Sequence, residues 1–309
     1  MNAIKYILIC GAGMMGKNIA FVMASNPAYQ VGVYDLYETD VPGGIRANTR
    51  QLIAKGALTE EELDARLSRI SFTTDLDSEL VSRADLVIEA VFEDMKIKRE
   101  TFAKLEVRCR PDTIFCTNSS VMSPSEISAE LRHRERFVGT HFWNPGHLIP
   151  LVEVVKSDAS SDETAQTVME VLSSAGKEPV LCKKDVPGFI ANRMQHALWR
   201  EAISIVERGI ADAATVDKAV RYSFGLRLPQ LGPMENADMV GTDLTYNIHD
   251  YILKDLEDSH EPSPLLTRLR DEGKLGFKTG EGFQTWTPQQ IEQSKEALND
   301  YLVDMLYGK

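Results

Sequence analysis

The sequence Tyr-Ile-Leu-Ile-Cys-Gly-Ala-Gly-Met-Met-Gly-Lys-Asn-Ile-Ala, residues 6–20, decides the fold of this protein. Its first five residues form an apolar run that is too short for a buried helix and therefore predicts a β-strand. Three glycines follow at positions 11, 13 and 16, and then a segment with helical patterning. A second short apolar run at residues 31–34 ends in Asp35. This order of strand, glycine turn, helix, strand and acid is typical of a dinucleotide-binding βαβ unit.

Each glycine of this turn has its own steric reason. Gly11 permits the tight turn after the strand, Gly13 lets a pyrophosphate approach the backbone, and Gly16 lets the helix pack close to the strand. The N–H groups at the helix N-terminus then bind the phosphates. The residues expected to contact the cofactor here are Gly11, Gly13, Met14, Met15 and Gly16.

The acid at the end of the second predicted strand indicates which dinucleotide is bound. Asp35 lies nineteen residues after Gly16, near the position where a carboxylate accepts hydrogen bonds from the adenosine ribose. A carboxylate at that point repels a 2′-phosphate, so the predicted cofactor is NAD rather than NADP.

Length and composition narrow the class of protein. A chain of 309 residues can form two domains, and 43% hydrophobic residues with 26% charged residues is ordinary for a globular protein. The net charge of −12 disfavours nucleic-acid or membrane-surface partners, which are themselves negative. No apolar run approaches the length of a membrane span, and the N-terminus resembles no targeting signal, so we expect a cytoplasmic protein. Four scattered cysteines indicate buried free thiols, and no histidine pattern predicts a metal site.

Strands and helices alternate through the first half of the chain. Strands are predicted at residues 70–74, 84–91, 113–117, 136–140, 151–155 and 179–182. This alternation predicts an α/β domain with a Rossmann-type, doubly wound sheet, whose ligands lie at the carboxyl ends of the strands. Amphipathic helices are then predicted at residues 190–208, 214–222, 239–256 and 263–272. We therefore expect an NAD-binding domain of residues 1–186 and an all-helical domain of residues 187–309.

Three basic residues follow a predicted turn at residues 40–44. Arg46 and Arg50 are one helical turn apart on a predicted helix at residues 45–55, and Lys55 lies at its end. Two interpretations remain open at this stage: a solvated helix face, or a clamp for an anionic group such as a nucleotide phosphate.

Several polar residues lie inside or beside apolar sequence. Ser119 follows the predicted strand at residues 113–117. His141 and Asn144 fall in the predicted connection between two strands, and Glu153 falls within the second of them. Buried polar groups need partners, so we expect these side chains to hydrogen-bond one another or a ligand.

These segments together resemble the 3-hydroxyacyl-CoA dehydrogenase family across nearly the whole chain. The matching segments, in the order in which the family has them, are GAGMMG at 11–16, ADLVIEAVFE at 84–93, NSS at 118–120, HFWNP at 141–145, LVEVV at 151–155, DVPGFIANR at 185–193 and GFKTGEGF at 276–283. The resemblance implies an NAD-dependent dehydrogenase with a Rossmann-like first domain. It also implies that the helical domain binds substrate and forms a homodimer.

The resemblance assigns the chemistry to four residues. His141 would take the proton of the substrate hydroxyl while hydride leaves, and Glu153 would hold the histidine. Ser119 and Asn192 would polarise or orient the substrate oxygen. Histidine is suited to this role because it titrates near neutral pH, and a carboxylate on its other nitrogen fixes the tautomer and stabilises the imidazolium.

The resemblance also suggests cofactor contacts outside the glycine turn. Glu93 and Lys98 would reach the ribose and nicotinamide side, and Asn144 would contact the nicotinamide ribose. Lys278 would close over the cofactor from the helical domain.

Three departures from the family concern the substrate. Family members acting on acyl-CoA carry a lysine where this chain has Pro150, and proline there is more similar to relatives that oxidise carnitine or sugar acids. Trp143 replaces a smaller aromatic residue beside His141 and either narrows the substrate pocket or fills core. The tail at residues 287–309 extends past the usual end as an acidic helix.

Three hypotheses of function follow. The first is hydride transfer between NAD and a 3-hydroxyacyl-CoA-like substrate or small hydroxy acid, in which Arg46, Arg50 and Lys55 would hold the CoA phosphates. The second keeps the chemistry but changes the substrate to a free acid without CoA, namely carnitine, a sugar acid or a formyl-pyridine carboxylate of vitamin B6 degradation. The third is a non-catalytic structural protein, as some lens crystallins are.

Overall fold

The first predicted strand, β1 (Tyr6–Cys10), lies inside an eight-stranded sheet in the computed structural model, which describes residues 3–308. The other strands are β2 (Gln30–Tyr34), β3 (Ile70–Thr73), β4 (Leu86–Glu89), β5 (Ile114–Thr117), β6 (Phe137–Phe142), β7 (Leu151–Lys156) and β8 (Glu178–Cys182). Their order in the sheet is β3-β2-β1-β4-β5-β6-β7-β8. Strands β1 to β6 are parallel, β7 is antiparallel to β6, and β8 is parallel to β7.

The strand order places a crevice beside the glycine turn. The chain runs outward from β1 to β2 and β3 and then returns to β4 on the other side of β1. In an open parallel sheet, ligands bind at the carboxyl ends of the strands at such a reversal. Cys10 at the end of β1 is paired with Glu89 at the end of β4, so both lie at this edge.

Seven helices cover the sheet. They are α1 (Met14–Met23), α2 (Val41–Ala54), α3 (Glu60–Leu67), α4 (Glu79–Ser82), α5 (Met95–Glu106), α6 (Pro124–Ile127) and α7 (Asp162–Ser174). Side chains of β1 alternate between two apolar clusters, with Ile7 and Ile9 in one and Leu8 and Cys10 in the other. Both faces of the sheet are therefore buried, as the continuous apolar runs of its strands require. The predicted Rossmann-type, doubly wound sheet is confirmed.

Two predictions about local structure in this part of the chain were wrong. Residues 41–44 are the first turn of α2 rather than a separate turn before it. The Asp40 side chain caps this helix by accepting a hydrogen bond from the Gly43 N–H. Pro42 is tolerated in the first turn because the backbone N–H groups there have no partner within the helix. His141 lies in β6, not in the connection after it, because the pairing with β7 continues through Phe142. Thr59 and Glu62 have the spacing that predicts a capping box, and they form one at the start of α3, so this prediction is confirmed.

The chain divides into two units of unequal size. The sheet unit contains the residues up to Ala191 and those from Leu298 onward, and the helical unit contains residues 192–297. The remaining helices are α8 (Ala191–Glu207), α9 (Ala213–Arg221), α10 (Phe224–Arg227), α11 (Pro233–Val240), α12 (Thr242–Ile252), α13 (Pro264–Asp271) and α14 (Pro288–Tyr307). The predicted helix at residues 239–256 exists but had the wrong bounds, since Gly241, with a φ of 100°, separates α12 from α11 and α12 ends at Ile252.

The end of α14 packs into the sheet unit. Val303 is 2% exposed and belongs to the larger core cluster, against which Leu302 also packs. None of the helices described is long and apolar enough to cross a membrane.

Candidate active site

The glycine turn leaves an open surface at the N-terminus of α1. Gly11 has a φ of 107°, and a Cβ on it would lie 2.6 Å from the carbonyl oxygen of Ala90. A Cβ on Gly16 would lie 1.8 Å from the carbonyl oxygen of Gly11, so only glycine fits there. A Cβ on Gly13 would meet nothing within 4 Å, and no side chain caps the helix that Gly13 begins. The surface at Gly13 is therefore open, which fits a pyrophosphate bound at the N-terminus of α1.

The other residues of this edge also fit a dinucleotide. Asp35 follows β2, and its carboxylate accepts hydrogen bonds from the N–H groups of Ala12 (2.7 Å) and Tyr37 (3.2 Å). These bonds hold the acid beside the glycine turn. Met14 is 57% exposed, whereas Met15 is partly buried and approaches Gly146. Within residues 3–308, no group of three or more His, Cys, Asp or Glu side chains is placed to hold a metal ion.

A network of charged and polar side chains lies at the ends of β4 and β5. Lys98, which is 1% exposed, lies 2.7 Å from Glu89 and 3.1 Å from Glu93 through its Nζ. The hydroxyl of Thr117 donates to Glu89 at 2.7 Å, and that of Ser119 donates to Glu93. Glu93 also accepts the N–H of Ser120.

The positive charge of Lys98 in this network offsets part of the cost of burying the two carboxylates. Burial raises the pKa of Glu89, and the ammonium of Lys98 is the main opposing influence. For Glu93, burial also acts upward, but the hydrogen bond from Ser119 and the charge of Lys98 outweigh it and lower the pKa. The structure therefore brings three predicted residues, Ser119, Glu93 and Lys98, into one network. Glu89, which also belongs to it, was missed because in sequence it is one acid within an apolar strand.

His141 and Glu153 form a buried pair across β6 and β7. They are directly opposed in the antiparallel register, and the imidazole Nδ1 lies 2.8 Å from Glu153 Oε2. Their side chains are 5% and 0% exposed. Burial raises the pKa of Glu153, but hydrogen bonds from His141, Ala191 and Ile190 outweigh it and hold the pKa below its usual range. The carboxylate is thus ionised, Nδ1–H donates to it, and Nε2 is left as the basic nitrogen.

The turn after β8 completes the surroundings of Glu153. The N–H groups of Ile190 and Ala191 donate to its Oε1 at 2.8 and 3.0 Å. They point to the same oxygen because Gly188 and Phe189 both have positive φ, 75° and 51°. For Phe189 this left-handed conformation costs about 1–2 kcal/mol, which the surrounding contacts must offset.

The connection between β6 and β7 carries the predicted residues Trp143 and Asn144. The indole Nε1–H of Trp143 donates to Glu153 Oε2 at 3.4 Å, and its ring lies 5.3 Å from that of His141. Asn144 is exposed. Lys177, which sequence reasoning missed, is 5% exposed and donates to the carbonyls of Gly146 and Ile149, both at 2.7 Å. It holds the connection in place.

The three predicted basic residues of α2 do not form one cluster. Arg46 pairs with Asp64 at 2.5 Å and with Glu60 at 3.7 Å. Lys55 instead lies 2.7 Å from Asp304 and 3.3 Å from Asp300, both on α14. Arg50, on the same helix, is exposed. Asn192 and Lys278 belong to the helical unit.

A dinucleotide-type crevice and a buried histidine–carboxylate pair on one sheet edge define an oxidoreductase site. Models of two domain families match the chain: the NAD-binding domain of 3-hydroxyacyl-CoA dehydrogenase over residues 6–186, and its C-terminal domain over residues 188–286. The chain therefore belongs to the 3-hydroxyacyl-CoA dehydrogenase family, and it is an NAD-dependent oxidoreductase. The predicted family, enzyme class and cofactor are confirmed.

Individual relatives fall into two groups by substrate. The chain is 34% identical over 293 residues to 5-formyl-3-hydroxy-2-methylpyridine 4-carboxylate 5-dehydrogenase of Mesorhizobium japonicum, covering 94% of this chain and 93% of that one. It is 37% identical over 291 residues to human mitochondrial hydroxyacyl-coenzyme A dehydrogenase, covering 91% and 90%.

Solved structures include members of both groups. A structure of the formyl-pyridine dehydrogenase, described as an NAD⁺-dependent dismutase, superposes with a TM-score of 0.89 and 32% identity and covers 97% of both chains. For (S)-3-hydroxybutyryl-CoA dehydrogenase of Ralstonia eutropha the TM-score is 0.77 at 29% identity, with 92% of this chain and 100% of that one covered.

Proposed function

We propose that this enzyme oxidises or reduces a compact acid that carries no CoA, with His141 as the general base. The observation that carries the proposal is the pairing of Lys55 with Asp300 and Asp304. Gln51 also donates to Asp300, at 2.7 Å. Asp300 and Asp304 thus neutralise Lys55, one of the three residues expected to hold the CoA phosphates, and their negative charges would repel a phosphate there.

The similarity to the formyl-pyridine carboxylate dehydrogenase supports the same substrate class. The structure of that relative covers 97% of this chain. We propose an aldehyde-acid or a hydroxy acid of similar size as substrate, with the aldehyde reacting as its hydrate. The alternative is a 3-hydroxyacyl-CoA, which is favoured by the several relatives named as hydroxyacyl-CoA dehydrogenases.

The proposed chemistry begins at the free nitrogen of His141. In oxidation, Nε2 accepts the proton of the substrate hydroxyl as the carbon–hydrogen bond breaks, and the imidazolium is stabilised by Glu153. Bound NAD supplies the hydride acceptor. An alcohol then yields a ketone or aldehyde, an aldehyde hydrate yields a carboxylic acid, and the proton passes from His141 to solvent.

We propose supporting roles for the remaining predicted residues. Ser119 and Asn192 orient the substrate oxygen, while Trp143 borders the substrate. The cofactor-binding set is Gly11, Gly13, Met14, Met15, Gly16, Asp35, Glu93, Lys98, Asn144 and Lys278. Residues 1–186 hold the cofactor, and residues 187–309 provide substrate contacts.

We also propose a cytoplasmic homodimer formed through the helical unit. Support for the dimer comes from large apolar side chains that are exposed within that unit, among them Trp199, Leu244 and Tyr251, at 49%, 48% and 86%. Support for the location comes from the cysteines, since all four are free and buried, as is usual in a reducing compartment.

Initial rates of NAD reduction test the substrate class. We expect a formyl-pyridine carboxylate or another small aldehyde-acid to react, and 3-hydroxybutyryl-CoA to react no faster than free 3-hydroxybutyrate at matched concentration. A large preference for the thioester would overturn the proposal in favour of the CoA alternative. His141→Ala should abolish turnover in protein that still binds NADH.

A matched variant tests the role of the tail. Asp300→Asn combined with Asp304→Asn removes the two carboxylates that pair with Lys55 but keeps the packing of Val303. We expect kcat/KM for the free acid to stay within about twofold, because a surface ion pair contributes only about 0–1 kcal/mol to stability. Inhibition by free CoA should strengthen, because the negative charges that would repel its phosphates are gone. Unchanged inhibition by CoA would show that α14 does not exclude it.

A further inference from the structure

Four N–H groups converge on the carboxylate of Glu153. Oε1 accepts from Ile190 and Ala191, and Oε2 accepts from His141 and Trp143. An ionised carboxylate has about four acceptor positions, so all positions of Glu153 are filled. Three of these donors are backbone groups or the histidine itself. The fourth depends on the identity of residue 143, because of the aromatic side chains only tryptophan, tyrosine and histidine carry a donor.

The indole competes with the imidazole for one oxygen. Both donate to Oε2, at 3.4 Å for Trp143 and 2.8 Å for His141. Each donor withdraws negative charge from the oxygen it shares, so the indole weakens the attraction between Glu153 and a protonated His141. The two rings are also in contact, inclined by 52°, so Trp143 restricts how the imidazole can turn.

We propose that Trp143 is a positioning residue that sets the proton affinity of the His141–Glu153 pair through its indole N–H. The proposal rests on the role of His141 proposed above. By weakening the hold of Glu153 on the imidazolium, Trp143 keeps His141 neutral, and therefore active as a base, to lower pH than a phenylalanine at that position would.

Other ionisable groups of the sheet unit do not touch the indole in the described contacts. Cys182 on β8 interacts electrostatically with Glu153 and with Asp185 in the turn that follows. The Glu89–Lys98–Glu93 network lies at the ends of β4 and β5. A substitution confined to Trp143 leaves all of these groups in place, so a change in pH dependence reports on the hydrogen bond to Glu153.

The test is the pH profile of kcat/KM for Trp143→Phe, which keeps an aromatic ring but lacks the N–H. The parent protein for this comparison carries Trp199→Phe and Trp286→Phe, so that Trp143 is its single tryptophan. In the oxidation direction, we expect the midpoint of the acidic limb to rise by about half a pH unit, or about threefold in proton affinity. A role in packing alone leaves the midpoint unchanged and overturns the proposal.

A second measurement does not depend on replacing the side chain. In the same background, a ring-fluorinated tryptophan, whose N–H is a stronger donor, should move the midpoint downward. A shift in the same direction as Trp143→Phe would also overturn the proposal. Failure of the proposed role of His141 is recognised separately, because His141→Ala would then retain turnover, whereas failure of this inference leaves His141→Ala inactive.

Discussion

Replacing Lys98 with methionine should destabilise the protein by about 3–5 kcal/mol, the usual effect of removing one partner from a buried ion pair. The Nζ of Lys98 lies 2.7 Å from Glu89, whose side chain is 0% exposed. Methionine fills most of the same space but supplies no charge or donor. Glu89 would then keep only the hydroxyl of Thr117 and the N–H of Val91.

The loss should depend on pH in a defined direction. Without the ammonium, burial raises the pKa of Glu89 in the folded state well above its unfolded value near 4.5. A group whose pKa is raised by folding contributes its stability below the unfolded pKa and loses it as pH rises through the folded pKa. The defect of Lys98→Met should thus be largest near pH 8, shrink as the pH falls toward about 4.5, and be smallest below that value.

The assay is urea denaturation of the parent, Lys98→Met and the double variant Glu89→Gln/Lys98→Met at both pH values. The double variant removes both charges, so we expect it to recover most of the lost free energy of unfolding. The reasoning would be refuted by a loss below about 1 kcal/mol for Lys98→Met at pH 8, or by a double variant as unstable as the single one.

Three further predictions use other parts of the site. Gly16→Ala should lower the free energy of unfolding sharply, because its Cβ would lie 1.8 Å from the Gly11 carbonyl oxygen. Gly13→Ala meets no atom within 4 Å, so it should leave thermal stability unchanged and raise KM for NAD. Equal losses of stability in the two variants would contradict this contrast. Glu153→Gln should lower kcat by about 10³–10⁴-fold, because its amide NH₂ would donate to Nδ1 of His141 and move the imidazole proton to Nε2, the nitrogen that must accept the substrate proton. NADH fluorescence should show that binding persists. Burial lowers the pKa of His147 to about 4 from 6.5, so the unfolded chain binds more protons between those values and stability should fall by up to about 3 kcal/mol as pH drops through them. Urea denaturation at several pH values should show that the free energy of unfolding of His147→Gln depends less on pH between about 4 and 6.5 than that of the parent. An unchanged pH dependence would show that His147 does not cause the loss of stability at low pH.

The reliability of the sequence predictions follows the range of the interactions that cause each feature. The glycine turn, the capping box of Thr59 and the buried strands depend on neighbours a few residues away, and all were predicted. The two wrong helix bounds also have local causes, but each depends on a single residue. Asp40 caps α2 one turn earlier than its apolar pattern begins, and Gly241 takes a left-handed φ inside a segment with continuous helical patterning.

The pairing of His141 with Glu153 was expected from the family resemblance, but its full environment was not. The sequence contains no sign that Ile190 and Ala191 donate to Glu153, since the two N–H groups converge only through the positive φ angles of Gly188 and Phe189. The donor role of Trp143 was missed for a related reason. A tryptophan beside a histidine in sequence predicts bulk, whereas its hydrogen-bond partner is decided by the direction of the side chain.

The sequence by itself determined the class of this enzyme, a nucleotide-binding fold with NAD as cofactor, because both rest on short segments whose residue types have one good steric or chemical explanation. Only the tertiary structure decided how the basic residues are used. Lys55 meets the carbonyl of Asp300, 245 residues further along the chain, and no local pattern links the two. Charges so far apart in sequence come together only when α14 buries Val303 in the core of the sheet unit, so their pairing is a consequence of packing rather than of sequence spacing.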